Sequence, residues 1–230
     1  MQSIYIERPA WMRYEDKNAQ TEPIETMRRR VENYRGQDYV IDTLRWNGTA
    51  AIDILVTGDG YTAQEQSKFT SDARLCTDHL FETSPFDRYT DFFNVFALHI
   101  ISEESGISHP GQWKETNGTG AMICPGNSGL PIERRNTFFG THLDGWGVHR
   151  YIGAWNERAA YDITRVFFPR CKFTCILSNT EEYGGAGREI LKCSCNKASS
   201  EIFVHEFAHT FAELADEYFG GDIYMTEKPT

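Results

Sequence analysis

Residues 50–57 alternate toward an apolar run closed by Gly58-Asp59-Gly60, the signature of a buried strand ending in a turn. Thr62 and Glu65 then stand at capping-box spacing and predict a helix to about Phe81, because each can satisfy a backbone amide of the first turn. Asn94–Ile101 is a second apolar run of strand length. Strand, helix and strand together predict a βαβ unit. Farther on, Asn156–Phe168 carries a helical pattern, Lys172–Ser178 a strand, Glu182–Gly187 a flexible glycine-rich loop, and 188–194 an edge strand. The last two strands invite a hairpin about Gly184-Gly185 with Cys175 and Cys193 nearly opposite. Residues 1–40 are polar and broken by prolines, a lead-in or the remnant of an upstream region, so the main domain is expected over 41–230. Residues 102–150 are rich in glycine, asparagine and proline and predict an irregular insertion or cleft wall. The fold class expected is α/β of the α+β kind, built on a mixed sheet.

The final helix carries the chemistry. At about 100° per residue, Phe203, Val204, Phe207, Phe211 and Leu214 share one arc, with His205, His209 and Asp216 opposite. Ser199 or Ser200 is placed to cap it. Histidines four apart project from one helix face, so His205 and His209 can both reach one Zn²⁺. Glu206, beside them, is placed to take a proton from water on the metal's open position, a general base. A catalytic zinc ordinarily has a third protein ligand. Asp216 follows His209 by seven residues, about 10.5 Å of rise on an unbroken helix, too far for both to hold one ion. The helix must therefore break near Ala212–Leu214 for Asp216 to serve, and the glycine that turns the chain in the metzincin pattern is replaced by Ala212. Glu217 and a residue beyond Thr230 remain alternatives.

The segment His205-Glu206-Phe207-Ala208-His209, leading into Leu214-Ala215-Asp216-Glu217-Tyr218, resembles the active-site segment of the bacterial IgA-specific metallopeptidases. The likeness continues through Ile54-Leu55-Val56-Thr57-Gly58-Asp59-Gly60-Tyr61-Thr62, Pro85-Phe86-Asp87-Arg88-Tyr89, Phe92-Phe93-Asn94-Val95, Glu103-Glu104-Ser105-Gly106 and Glu182-Tyr183-Gly184-Gly185, covering roughly residues 38–225. The resemblance implies a zincin-like mixed sheet opened by the βαβ unit, with one catalytic Zn²⁺ on His205, His209 and Asp216 and Glu206 as base. It implies a secreted or cell-surface endopeptidase acting on protein or peptide through metal-bound water. It also implies that the chain ends inside the family's catalytic domain, with Met225 a poor match for any methionine turn. Extended substrate would lie along the edge strand before residue 199, gaining main-chain hydrogen bonds, with Tyr183 and the following glycines as rim. A zinc-binding module without activity and a zinc hydrolase of a non-peptide amide are the rival readings.

Composition narrows the partners. A formal charge of −10 argues against nucleic acid, which requires clustered lysine and arginine; Arg28-Arg29-Arg30 is short and reads as a solvated run rather than a functional one. No stretch approaches the roughly 20 apolar residues of a membrane span, and no signal-peptide profile opens the chain. With 230 residues and 40% hydrophobic content, one sizeable core and a monomer are expected. Cys76, Cys124, Cys171, Cys175, Cys193 and Cys195 permit three disulfides or none; buried free thiols come first, ahead of a four-thiolate zinc on the last four. His109, His142 and His149 lie in or near the 102–150 stretch and read first as solvated loop residues, with contact to substrate or to a second metal as the alternative. Asn47 and Asn117 head glycosylation-type triplets.

Overall fold

The computed structural model describes residues 39–114, 120–123, 129–187 and 189–216. Most of the expected lead-in, the Arg28–Arg30 run, Asn117, Cys124, Glu217 and Met225 lie outside the described residues.

In chain order the main elements are β1 (Val40–Arg45), β2 (Ile52–Asp59), α1 (Gln66–Glu82), β3 (Phe93–His99), β4 (Gln112–Lys114), β5 (Ala121–Ile123), β6 (Thr141–His142), β7 (Gly153–Ala154), α2 (Glu157–Phe167), β8 (Cys171–Ser178), β9 (Gly185–Ala186), β10 (Ile190–Ser194) and α3 (Ser199–Ala212). The principal sheet runs β1-β3-β2-β8-β10-β9. Its four central strands are parallel, and β1 and β9 close it antiparallel at either edge. The expected mixed sheet and its βαβ opening, β2-α1-β3, are both present. β2 is buried from Asp53 to Asp59, as a strand covered on both faces must be. Ile54 and Val56 face a cluster shared with α1 and α3, while Leu55 joins Phe138, Phe139 and α2 on the other side.

Thr62 starts α1 through a short 3₁₀ turn, its amide donating to the Glu65 carboxylate at 2.9 Å. Phe69, Ala73, Cys76, Leu80 and Phe81 then form the buried stripe. The back of α3 is fixed by rings: Phe207 lies 5.4 Å from Phe86 and 5.3 Å from Phe173, and Phe211 lies 5.8 Å from Phe93. Aromatic pairs at these separations add about 0.5–1.5 kcal/mol each beyond the area they bury, so α3 cannot rotate its polar front away. Leu214, expected on this apolar back, lies past the helix end and is 58% exposed.

Two strand expectations are corrected. The hairpin about Gly184-Gly185 does not form: β10 runs parallel to β8, with Leu191 opposite Cys175 and Cys193 opposite Leu177. The edge is also displaced, because β9 pairs outside β10, Lys192 facing Ala186. A period-two pattern specifies which face a residue occupies and is silent on strand direction. Cys76, Cys171, Cys175, Cys193 and Cys195 are free thiols, the first of the two cysteine readings; Cys171 opens β8 whereas Cys195 follows the far end of its parallel neighbour β10, so the four thiols do not share a metal.

The stretch 102–150 is largely irregular, with short ladders β4-β5 and β6-β7. It is tied to the end of β2. Asp59 is fully buried, and its carboxylate accepts the amides of Phe139 (2.9 Å) and Thr141 (2.8 Å) and the hydroxyls of Ser102, Thr137 and Thr141. Next to it, Gly60 has φ +76°, and a Cβ there would sit 2.2 Å from the Gly106 carbonyl oxygen, a position only glycine can hold.

Candidate metal centre

The chain passes from β10 into α3 through contacts made by Asn196. Ala198 holds the cap position without a side-chain cap; its amide donates to Asn196 Oδ1 at 2.9 Å, and the Ser199 amide donates to the Asn196 carbonyl at 2.7 Å. The expected serine cap is thus corrected: Ser199 is already inside the first turn.

α3 ends at Ala212, and Glu213 takes a left-handed conformation (φ 55°, ψ 30°), its amide donating to the His209 carbonyl at 3.1 Å. This is the break that the His209–Asp216 spacing demands. Left-handed backbone costs a non-glycine residue about 1–2 kcal/mol, so the turn needs support from neighbours, and His209 supplies one such contact. His209 Nδ1 donates to the Leu214 carbonyl at 2.5 Å. That bond fixes the neutral ring as the Nδ1–H tautomer and leaves Nε2 with a bare lone pair.

Three atoms then converge. His205 Nε2 lies 3.1 Å from His209 Nε2, and Asp216 Oδ1 lies 3.1 Å from the first and 3.2 Å from the second. A bare nitrogen facing a carboxylate oxygen at that distance is favourable only with positive charge between them. The spacing suits a metal ion: ligands at about 2.0–2.1 Å from a tetrahedral zinc stand about 3.3–3.4 Å apart. Two imidazoles and one carboxylate on three corners leave a fourth open. The three residues remain partly exposed, with side-chain accessibilities from 19% to 43%, so solvent reaches the cluster.

Glu206 sits on the same helix, half-buried, its carboxylate against the segment carrying β9. A Cβ on Gly185 would lie 2.7 Å from Glu206 Oε1, and one on Gly187 would lie 2.8 Å from Oε2 and 2.7 Å from the Glu206 backbone oxygen. Only residues without side chains let this segment approach α3. Burial, opposed by His209, pushes the Glu206 carboxyl up to about 7, while Asp216 pushes it the same way and the Gly187 amide, donating to it, pulls it down. A carboxylate with a pKa near neutrality is a better proton acceptor than an ordinary glutamate.

Of the residues singled out in the sequence, His205, His209 and Asp216 meet at one point, with Glu206 beside them. The roles of Leu214, Glu213, Gly185 and Gly187 emerge only from the fold. The glycines at 184, 185 and 187 are the available sequence signal, and by themselves they read as a loop. Tyr183 is 55% exposed beside them. No helix among the described residues is long and apolar enough to cross a membrane. A family model described as IgA Peptidase M64 matches residues 43–229. No curated protein matches the chain.

Proposed function

From a chain that belongs to the IgA Peptidase M64 family, and is on that ground a metal-dependent peptidase, we propose a zinc endopeptidase with residues 41–230 in its catalytic domain. His205, His209 and Asp216 hold the ion and Glu206 is the general base. The observation that carries this reading is the convergence of His205 Nε2, His209 Nε2 and Asp216 Oδ1 within 3.2 Å of one another. Nitrogen-rich donors of this kind favour zinc over calcium or magnesium, which take oxygen ligands.

Zinc, when bound, supplies Lewis acidity that lowers the pKa of a coordinated water and polarises the scissile carbonyl. The chain's own residues do the rest. Leu214 holds His209 with its lone pair inward. Glu206 accepts the proton of the attacking water at its carboxylate and returns it to the departing amine, and the raised carboxyl favours both halves of that cycle. Gly185 and Gly187 keep the base pressed toward the ligands. The outer side of β9 is already bonded at Gly185 to the Arg150 carbonyl and the Ile152 amide, so the main-chain position expected there for an extended peptide is taken by the chain itself.

Purified protein is expected to carry stoichiometric zinc in this site and to cleave an unfolded protein; chelation abolishes cleavage and zinc restores it. Zinc without cleavage of any protein or peptide would leave a binding module, and cleavage of small amides alone would leave a non-peptide hydrolase. Asp216→Ala removes one of three ligands and is expected to raise the zinc Kd at least tenfold, measured by competition with a chromophoric chelator; an unchanged Kd shows that the third ligand is another residue.

Gly187→Ala tests the placement of the base. The added carbon meets backbone as well as carboxylate, so the segment must shift, and displacements near 1 Å cost about 10²-fold in rate. A fall in kcat/KM of that order with unchanged zinc content is expected. Wild-type kcat/KM would show that the 185–187 segment does not position Glu206.

A further inference from the structure

His109, His142 and His149, expected to be solvated, are not alike. His142 stacks on Trp155 with ring centroids 4.5 Å apart. His109 is 6% exposed and Asp144 3%, and the side chain of His149 is 16% exposed. One ligand atom from each of His109, Asp144 and His149 lies within 4.8 Å of the other two. We propose that these three residues form a second divalent-metal site, of the zinc class, which ties together two parts of the 102–150 insertion beside the segment flanking Glu206.

The observation that separates this cluster from an ordinary hydrogen-bonded pair is His109. Its Nδ1 is buried without a hydrogen-bond partner, and its ring faces that of His149 at 6.0 Å between centroids. A buried polar atom left unpaired is costly, and an Asp144–His149 pair alone does nothing to relieve it. A cation held on that nitrogen would. Asp144 is prepared for the role: Oδ2 accepts the Gly111 amide at 3.0 Å, while Oδ1 lies 2.8 Å from His149 Nδ1. On the other side of that ring, Nε2 lies 3.5 Å from Glu182 Oε2. With Nδ1 on the metal, Nε2–H donates to Glu182, the outer carboxylate that orients a ligating histidine.

The backbone is bent to make this arrangement. Asp144 has φ 65° and Trp146 φ 52°, both left-handed without being glycine, and such residues persist only where surroundings over-determine them. The turn closes by Asp144 N–H donating to the His149 carbonyl at 3.1 Å. Two imidazoles with one carboxylate exclude calcium and magnesium as the natural ion and favour zinc. The site is also connected to the active-site wall. Past His149, the Arg150 carbonyl accepts the Gly185 amide at 3.0 Å, and the Ile152 amide donates to the Gly185 carbonyl at 3.4 Å; Gly185 is the residue against Glu206.

Zinc stoichiometry tests the proposal independently of the active site. In the His205→Ala/His209→Ala double variant of the full chain, one zinc per chain is expected by elemental analysis after dialysis. Zinc at a thousandfold its Kd should raise Tm by about 10 °C. Adding His109→Ala or Asp144→Asn to that background is expected to take bound zinc to zero, with far-UV circular dichroism unchanged. A double variant that binds no zinc overturns the proposal. A wild-type chain whose single zinc survives the double substitution and is lost with His109→Ala supports it and overturns the active-site assignment instead. If the added substitutions prevent folding, cobalt(II) in the double variant decides. Tetrahedral d–d absorbance that His149→Gln reduces supports the site, and its absence overturns it.

Discussion

Glu206→Gln is expected to leave zinc content at the wild-type level and to lower kcat by about 10²–10⁴, the range ascribed to a positioned general base. Glutamine keeps the shape that fits between Gly185 and Gly187, so the helix and its ligands stay in register. It lacks the anionic oxygen that takes a proton from water. The Gly187 amide, which donates to the carboxylate, still finds the amide oxygen. The measurement is steady-state cleavage of an unfolded protein beside elemental analysis of the same preparation. A variant above a tenth of wild-type kcat with full zinc removes Glu206 from the base role. A variant that loses its zinc shows instead that Glu206 helps to hold the ion. Comparison with Asp216→Ala separates the two: there the defect should be relieved by excess zinc, whereas excess zinc does nothing for glutamine at 206.

The parts of the fold with strong local patterns are legible in the sequence. β2, α1 and β3 follow from apolar runs, a capping box and turn residues, because each signal is contained within a few neighbouring positions. β1 escapes for the complementary reason: it is an edge strand whose residues are exposed or half-buried, so no clear apolar face marks it. The direction of β10 escapes because nothing in its own residues records that the chain crosses back before pairing with β8. The site divides in the same way. Histidines one turn apart are a local pattern, and the helix places them. Asp216 depends on a break that no glycine advertises, since Glu213 adopts the left-handed turn itself. The His109 cluster depends on segments 109, 144–149 and 182 meeting, a relation among distant residues that spacing alone does not contain.

This long-range character makes Asp59 the stability test. Asp59→Ala is expected to destabilise the protein by about 3–5 kcal/mol, since the lost carboxylate leaves the amides of Phe139 and Thr141 and the hydroxyl of Thr137 without their buried acceptor. At about 2–4 °C per kcal/mol for a chain of this size, the melting temperature should fall by roughly 6–20 °C, read by circular dichroism. The anchored strands matter beyond their own bonds. Phe138 and Phe139 pack on the α2 side of the sheet, and β6 begins at Thr141, three residues before Asp144. Asp59→Asn discriminates between shape and charge. It fits the same space but turns an NH₂ group toward amide and hydroxyl donors, so it should recover less than half of the loss. If the alanine variant melts within about 2 °C of wild type, less than the shift of a single kcal/mol, the insertion is held by its other contacts, and the five hydrogen bonds at Asp59 are incidental to its placement.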